Sequence, residues 1–174
     1  NPNGIANIIT RVTGSNISQI FGTLGVQGTA NLYLINPNGI NFGNNARLDI
    51  RGSFIATTAD GIRLGEQGLF SATEPETSDL LTIQPGAFFT NALRQRQAQI
   101  RNQGNLAVGS RQRLILSADT ITSTGSLRAP AGTVEVSGSQ ISLLDNTAIN
   151  VSGPNGGGSV IIGNQDKIGR ASCR

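Results

Sequence analysis

Short apolar runs, each closed by Gly, Asn, Ser or Pro, recur along the whole chain. Leu32-Tyr33-Leu34-Ile35, Ala46-Arg47-Leu48-Asp49-Ile50, Leu114-Ile115-Leu116 and Thr133-Val134-Glu135-Val136 are rich in residues that suit a pleated strand. The residues between them are turn formers. Apolar sets spaced i, i+3, i+4, i+7 are almost absent before Thr82. One stretch, residues 87–99, lacks Gly and Pro and predicts one or two turns of helix.

Strands this short suit a sandwich, a barrel or a solenoid, and internal repetition decides between them. Leu114-Ile115-Leu116-Ser117 aligns with Val134-Glu135-Val136-Ser137 at an offset of 20. Val160-Ile161-Ile162-Gly163 begins the pattern again at an offset of 26, after the glycine-rich residues 153–158. A second register agrees. Ile100 to Leu106 aligns with Ile121 to Leu127 at an offset of 21, and Ile141 through Ile149 continues it. A period of about 20–26 residues holding several strands predicts the coils of a parallel β-helix. Each strand then pairs with its own copy one coil on, and inward Val, Ile and Leu stack into columns. Residues 60–99 break the repeat and carry acidic Glu66, Glu74, Glu76 and Asp79. They predict an excursion packed on the flank, a hairpin with a short helix. Residues 1–165 read as one domain. Residues 166–174 abandon the pattern and read as a tail, disordered or foreign to the domain.

Composition agrees with a solenoid. The 174 residues hold 37% hydrophobic and only 13% charged side chains, no Trp and no Met. The 23 glycines follow no triplet period. A net charge of +3, with Arg94, Arg96, Arg101, Arg111 and Arg113 only loosely grouped, gives no concentrated footprint for nucleic acid. No apolar run approaches the roughly 20 residues that span a bilayer. The chain starts at Asn1 without Met and with no signal peptide, and reads as part of a longer one.

Candidate chemistry is sparse. With no His and one cysteine, Cys173, near the end, Ser-His and Cys-His arrangements have no members, and no metal-ligand cluster stands out. Asp119 and Asp145 both follow repeat strands, again at an offset of 26. Brought together on adjacent coils, they would be the carboxylate pair of a polysaccharide-active enzyme; the alternative is that each is a turn former. Gly153-Pro154-Asn155-Gly156-Gly157-Gly158 is not followed by GK[ST] or a helix, and reads as a flexible corner rather than a phosphate loop.

The most specific signal is a repeated pentapeptide. Asn1-Pro2-Asn3-Gly4-Ile5 recurs as Asn36-Pro37-Asn38-Gly39-Ile40, at an offset of 35. Taken alone it is a tight turn: Pro presets φ, Asn accepts left-handed geometry, and Gly removes a Cβ clash. Its surroundings are Arg11-Val12-Thr13-Gly14, Gly22-Thr23-Leu24-Gly25-Val26-Gln27-Gly28, Asn41-Phe42-Gly43 and Leu48-Asp49-Ile50-Arg51-Gly52-Ser53-Phe54-Ile55. In this context the chain resembles the filamentous haemagglutinin secretion domain of two-partner secretion, in the form found in cyanobacterial haemagglutinin-like proteins. The likeness is dense from Arg11 to Ser71 and looser through Gly163. Asn36, Pro37, Asn38, Gly39 and Ile40 match that family's downstream NPNGI motif. Asn1, Pro2 and Asn3 match its upstream NPNL motif in part, with Gly4 standing in place of Leu.

The resemblance implies a right-handed parallel β-helix and an export address rather than an enzyme, with no cofactor and no metal. It implies a monomer recognised in the periplasm by the POTRA domains of an outer-membrane β-barrel transporter of Gram-negative type. The domain would cross unfolded, fold at the cell surface and place an adhesin-like exoprotein there or in the medium. The other readings are a polysaccharide-active β-helix enzyme using Asp119 or Asp145, and a purely structural adhesin segment.

Overall fold

A computed structural model of the chain describes residues 4–64, 68–77, 85–89, 98–164 and 167–172. They wind into about six turns of a β-solenoid. Turn one contributes β1 (Asn7–Arg11), β2 (Ser18–Ile20) and β3 (Thr23–Gly25). Turn two contributes β4 (Asn31–Ile35), β5 (Ile40–Phe42) and β6 (Arg47–Asp49). Turn three starts with β7 (Phe54–Thr57). It leaves the solenoid for β8 (Gly61–Leu64), β9 (Gly68–Ser71), a 3-10 turn at Pro75–Thr77 and β10 (Pro85–Phe89). It returns as β11 (Gln99–Asn102) and β12 (Asn105–Ala107). Turn four holds β13 (Arg113–Ser117), β14 (Thr120–Ser123) and β15 (Ser126–Arg128). Turn five holds β16 (Thr133–Ser137), β17 (Gln140–Leu143) and β18 (Ala148–Asn150). A small hairpin follows, β19 (Ser152–Gly153) with β20 (Gly156–Gly157), where a flexible corner was expected. Turn six is β21 (Ser159–Asn164), on which β22 (Lys167–Ser172) folds back antiparallel.

Three parallel sheets run the length of the stack: β1-β4-β7-β13-β16-β21, β2-β5-β11-β14-β17 and β3-β6-β12-β15-β18. The register is the one the repeats predict. Leu114 pairs with Val134 and Val134 with Val160, while Ile100 pairs with Ile121 and Ile121 with Ile141. Strand period 2 turns these pairings into interior columns. Ile8, Leu32, Phe54, Leu114, Val134 and Val160 form one column. Ile40, Ile100, Ile121 and Ile141 form another, and all belong to a single core cluster. Each fully buried Ile or Leu stabilises by roughly 1.5–3 kcal/mol, and no turn can bury its own without the next.

At the corner leading back to the first sheet, successive turns come very close. A Cβ on Gly132 would overlap the carbonyl oxygen of Gln112, whose oxygen also accepts from Thr133 N at 3.0 Å. Beside it, Arg111 and Ala131 occupy equivalent positions in turns four and five, with φ of 63° and 50°. Left-handed backbone costs a non-glycine residue roughly 1–2 kcal/mol. Part of the relief in Ala131→Gly is lost to unfolded-chain entropy, so the expected net gain is about 0.5 kcal/mol, read as a small rise in melting temperature.

The excursion over residues 60–99 is present. Its described strands form an antiparallel sheet in the order β10-β8-β9. Ile62, Leu64 and Ala72 build a second, smaller core against Ile9, Tyr33 and Ile35, the outward residues of β1 and β4. Burial raises the Tyr33 hydroxyl above its ordinary pKa of 10.0, with the charge of Arg113 acting in the opposite direction. The helix expected over residues 87–99 does not form at its ends. Residues 85–89 are strand, with Phe88 opposite Ile62, and β11 starts at Gln99. Adjacent aromatics favour a pleated strand when a partner edge is at hand, and β8 supplies one. Residues 90–97 of that stretch, together with Glu66 and Asp79 of the acidic group, lie outside the described residues.

Candidate functional site: the corner at residues 36–40

Residues 36–39 turn the chain from β4 in the first sheet to β5 in the second. The same corner is wide in turn one, where it covers residues 12–17. In turn three it is the point of departure for the excursion. In turns four and five it shrinks to residues 118–119 and 138–139. The pentapeptide therefore lies between the two least regular corners of the stack.

Its backbone closes a β-turn, with Gly39 N donating to Asn36 O at 3.1 Å. Pro37 takes the position whose φ it presets. Gly39 has φ +125°, and a Cβ there would stand 3.0 Å from the Gln99 carbonyl oxygen of turn three. The position thus needs glycine for conformation and for space.

Asn36 is the centre of the corner and is fully buried. Its Oδ1 accepts from Asn38 N at 2.9 Å and from Asn38 Nδ2 at 3.0 Å, an Asx turn that stiffens the bend. Its Nδ2 donates to Asn16 O at 3.0 Å and to Ser18 Oγ at 2.9 Å, both in turn one. Its backbone N donates to Thr57 O of turn three at 3.0 Å. Asn38 reaches turn one as well, with Nδ2 donating to Gly14 O at 2.7 Å. One short segment thus ties three successive turns together. Burying an amide costs free energy unless its donors and acceptors are matched, and here both ends of the Asn36 side chain are. Pro37, Gly39 and Ile40 are also buried, and Asn38 is half-buried.

The first pentapeptide copy does not occupy the equivalent corner. Its spacing from the second copy differs from the coil offset here, since Asn7 pairs with Asn31. Gly4 and Ile5 are exposed just ahead of β1, at the entry to the first sheet rather than its exit. Asn1, Pro2 and Asn3 lie outside the described residues.

The carboxylate pair is not assembled. Asp119 precedes β14, and its carbonyl accepts from Gln140 N at 3.0 Å, which sets it beside Ser139 on the next turn. Asp145 follows β17 at the opposite end of that sheet, with φ 46° as befits a turn residue. The strand between those corners spans roughly 13 Å, beyond the roughly 5–9.5 Å of glycosidase pairs. Among the described residues no group of three or more His, Cys, Asp or Glu gathers to hold a metal ion, and no helix is long and apolar enough to cross a membrane.

Arg11, the last residue of β1, joins turn one to the excursion, its guanidinium donating to Ser71 O of β9 at 2.7 Å. It stands in the Arg11-Val12-Thr13-Gly14 run, and its role depends on residues 60 positions away. Nothing local signals that reach.

A family model described as the TPS secretion domain matches residues 1–172. Neither a curated protein nor a solved structure gives a significant match.

Proposed function

The chain belongs to the TPS secretion domain family, and from that premise we propose that it is the export address of a large surface-exposed or secreted adhesin-like exoprotein. Membership carries a targeting role in two-partner secretion, with a dedicated transporter as the second partner. In the finer reading, that transporter is an outer-membrane β-barrel whose POTRA domains receive the chain in the periplasm of a Gram-negative cell. The domain crosses as extended chain and nucleates β-helix formation as it emerges. Solenoids suit such a task, because each completed turn is a template for the next.

The observation that carries this reading is the family match along nearly the whole chain. The geometry of the corner supports recognition of the unfolded form. Asn36, Pro37, Gly39 and Ile40 are buried once the turns close, so a partner reads their side chains only before folding. An extended segment can then add to a POTRA sheet edge by main-chain pairing, with the corner residues setting register. Once folded, the same residues serve as the clamp between turns. The domain acts as a monomer.

Export is the direct test. Produced behind a periplasmic signal peptide in a Gram-negative host with its transporter, the chain is expected in the medium or on the cell surface; without the transporter it stays in the periplasm. Equal export with and without the transporter would remove the reading.

A further inference from the structure

We propose that Asn38 is a self-modification site that the fold switches off. The Asn38-Gly39 pair loses ammonia while the chain is extended and is closed to that reaction once the corner has formed; Asn155-Gly156 stays open in both states. This concerns the chain's own chemistry and does not depend on a transporter. An asparagine followed by glycine is prone to react with itself, because glycine has no Cβ to hinder its amide nitrogen and gives the backbone wide freedom. The Gly N attacks the Asn Cγ. The N–Cγ bond forms, the Cγ–Nδ2 bond breaks, and Nδ2 leaves as ammonia with the proton of the Gly amide. Water then opens the cyclic imide at either carbonyl, giving aspartate or its main-chain isomer, isoaspartate. Water is the only co-reactant. The chain holds three Asn-Gly pairs, at residues 3–4, 38–39 and 155–156; Asn3 lies outside the described residues.

The structure separates the other two pairs. At residues 38–39 both reacting groups are held. Gly39 N, the nucleophile, donates to Asn36 O at 3.1 Å. Asn38 Nδ2, the leaving group, donates to Gly14 O at 2.7 Å and to Asn36 Oδ1 at 3.0 Å. Gly39 is also confined from outside, since even a Cβ there would stand 3.0 Å from Gln99 O. Reaching Cγ therefore requires the corner to open. Asn155 sits in the exposed two-residue turn between β19 and β20. Its side chain makes no hydrogen bond among the described residues, and a Cβ on Gly156 would meet nothing within 4 Å. The product also matters at one site more than at the other. Aspartate at position 38 would set a carboxylate oxygen against the Gly14 and Asn36 oxygens that Nδ2 now satisfies. Isoaspartate would lengthen the main chain inside a turn closed by the bond between Gly39 and Asn36. Either product prevents the corners of turns one and two from meeting as they do. A chain that stays extended too long thus loses the corner on which its folding depends.

The test incubates the full chain at one pH and temperature, in buffer and in urea above its unfolding midpoint. Peptide mass mapping follows the amide-to-acid change at both sites. In urea, Asn38 and Asn155 are expected to convert at similar rates. In buffer Asn155 continues to convert, while Asn38 slows by on the order of tenfold or more, because its reaction waits on local opening. Asn36→Ala leaves the reacting pair in place but removes its anchor, so in buffer it should speed Asn38 and leave Asn155 unchanged. Should that variant fail to fold, the wild-type comparison still decides. After dilution from urea, chains converted at position 38 should collect in the fraction that does not refold, and chains converted only at position 155 should refold. Equal Asn38 rates in buffer and urea would overturn the proposal. So would an Asn38 that is inert in urea, an Asn155 as slow in buffer as Asn38, or full recovery of chains converted at position 38 in the refolded fraction.

Discussion

Asn36→Ala lowers stability by about 3 kcal/mol, because it removes four side-chain hydrogen bonds at a fully buried position. A net worth of about 0.5–1.5 kcal/mol each, with the stranded partners partly rehydrated, gives that figure. The loss is not that of a lone turn. Asn16 O and Ser18 Oγ belong to turn one, so the grip between the first two turns goes with the bend itself. Asn36→Asp separates the two halves of the role. It keeps an acceptor for Asn38 N, loses both donated bonds and places a charge out of reach of solvent, so at neutral pH it should be at least as damaging as alanine. Pro37→Ala, which leaves the hydrogen bonds in place and adds only freedom to the unfolded chain, should cost no more than about 1 kcal/mol. Urea unfolding of the three variants measures this order, and an Asn36→Ala midpoint equal to that of Pro37→Ala would mean that the corner is only a turn.

Phe54→Ala has a still larger expected effect, about 4 kcal/mol. Phe54 is fully buried in the inward column between Leu32 and Leu114, and its ring meets Phe42 of the second sheet edge-to-face at 6.1 Å and 82°. Truncating a buried Phe costs roughly 3–5 kcal/mol through lost transfer energy and the cavity that remains, and the aromatic pair adds roughly 0.5–1.5 kcal/mol of its own. Turn three cannot collapse around the gap, because its neighbours are pinned at fixed strand spacing on both sides. A lower urea midpoint at unchanged slope identifies a loss of packing without a change in the folded architecture.

Much of the solenoid was legible because turns four to six repeat in sequence what they repeat in space. Leu114, Val134 and Val160 share one column and one sequence pattern. The first three turns keep the column but not the pattern: the residue that pairs with both Leu32 and Leu114 is Phe54. The step from Phe54 to Leu114 is far longer than the step from Leu114 to Val134, because the excursion lies inside it. Residue-to-residue comparison at a fixed offset has no access to such a step. The excursion itself announced its presence by breaking the repeat. Its form did not follow, because whether residues 87–89 make helix or strand depends on the edge of β8, a tertiary fact. The pentapeptide was legible as a turn from Pro37 and Gly39. Its second role, the clamp, was not, since Asn16, Ser18 and Thr57 meet it only through the coil register. The Asp119 and Asp145 pairing failed for the same reason. Their separation equals that of the paired residues Val134 and Val160 and so resembles one coil. Yet it overshoots the local step, from Thr120 to Gln140, and carries the second carboxylate to the next corner.

The central claim is that a transporter reads this domain as extended chain and that folding then buries what was read. Phe54→Ala offers a clean comparison, because it weakens the fold and leaves Asn36, Pro37, Asn38, Gly39 and Ile40 untouched. At a urea concentration between the two unfolding midpoints, the variant is unfolded and the wild type folded in the same buffer. Binding of both chains to the purified periplasmic domains of the cognate transporter should then favour the unfolded Phe54→Ala chain. Asn36→Ala introduced into that unfolded chain should weaken the binding. Tight binding by the folded wild type with none by the unfolded variant would contradict the account.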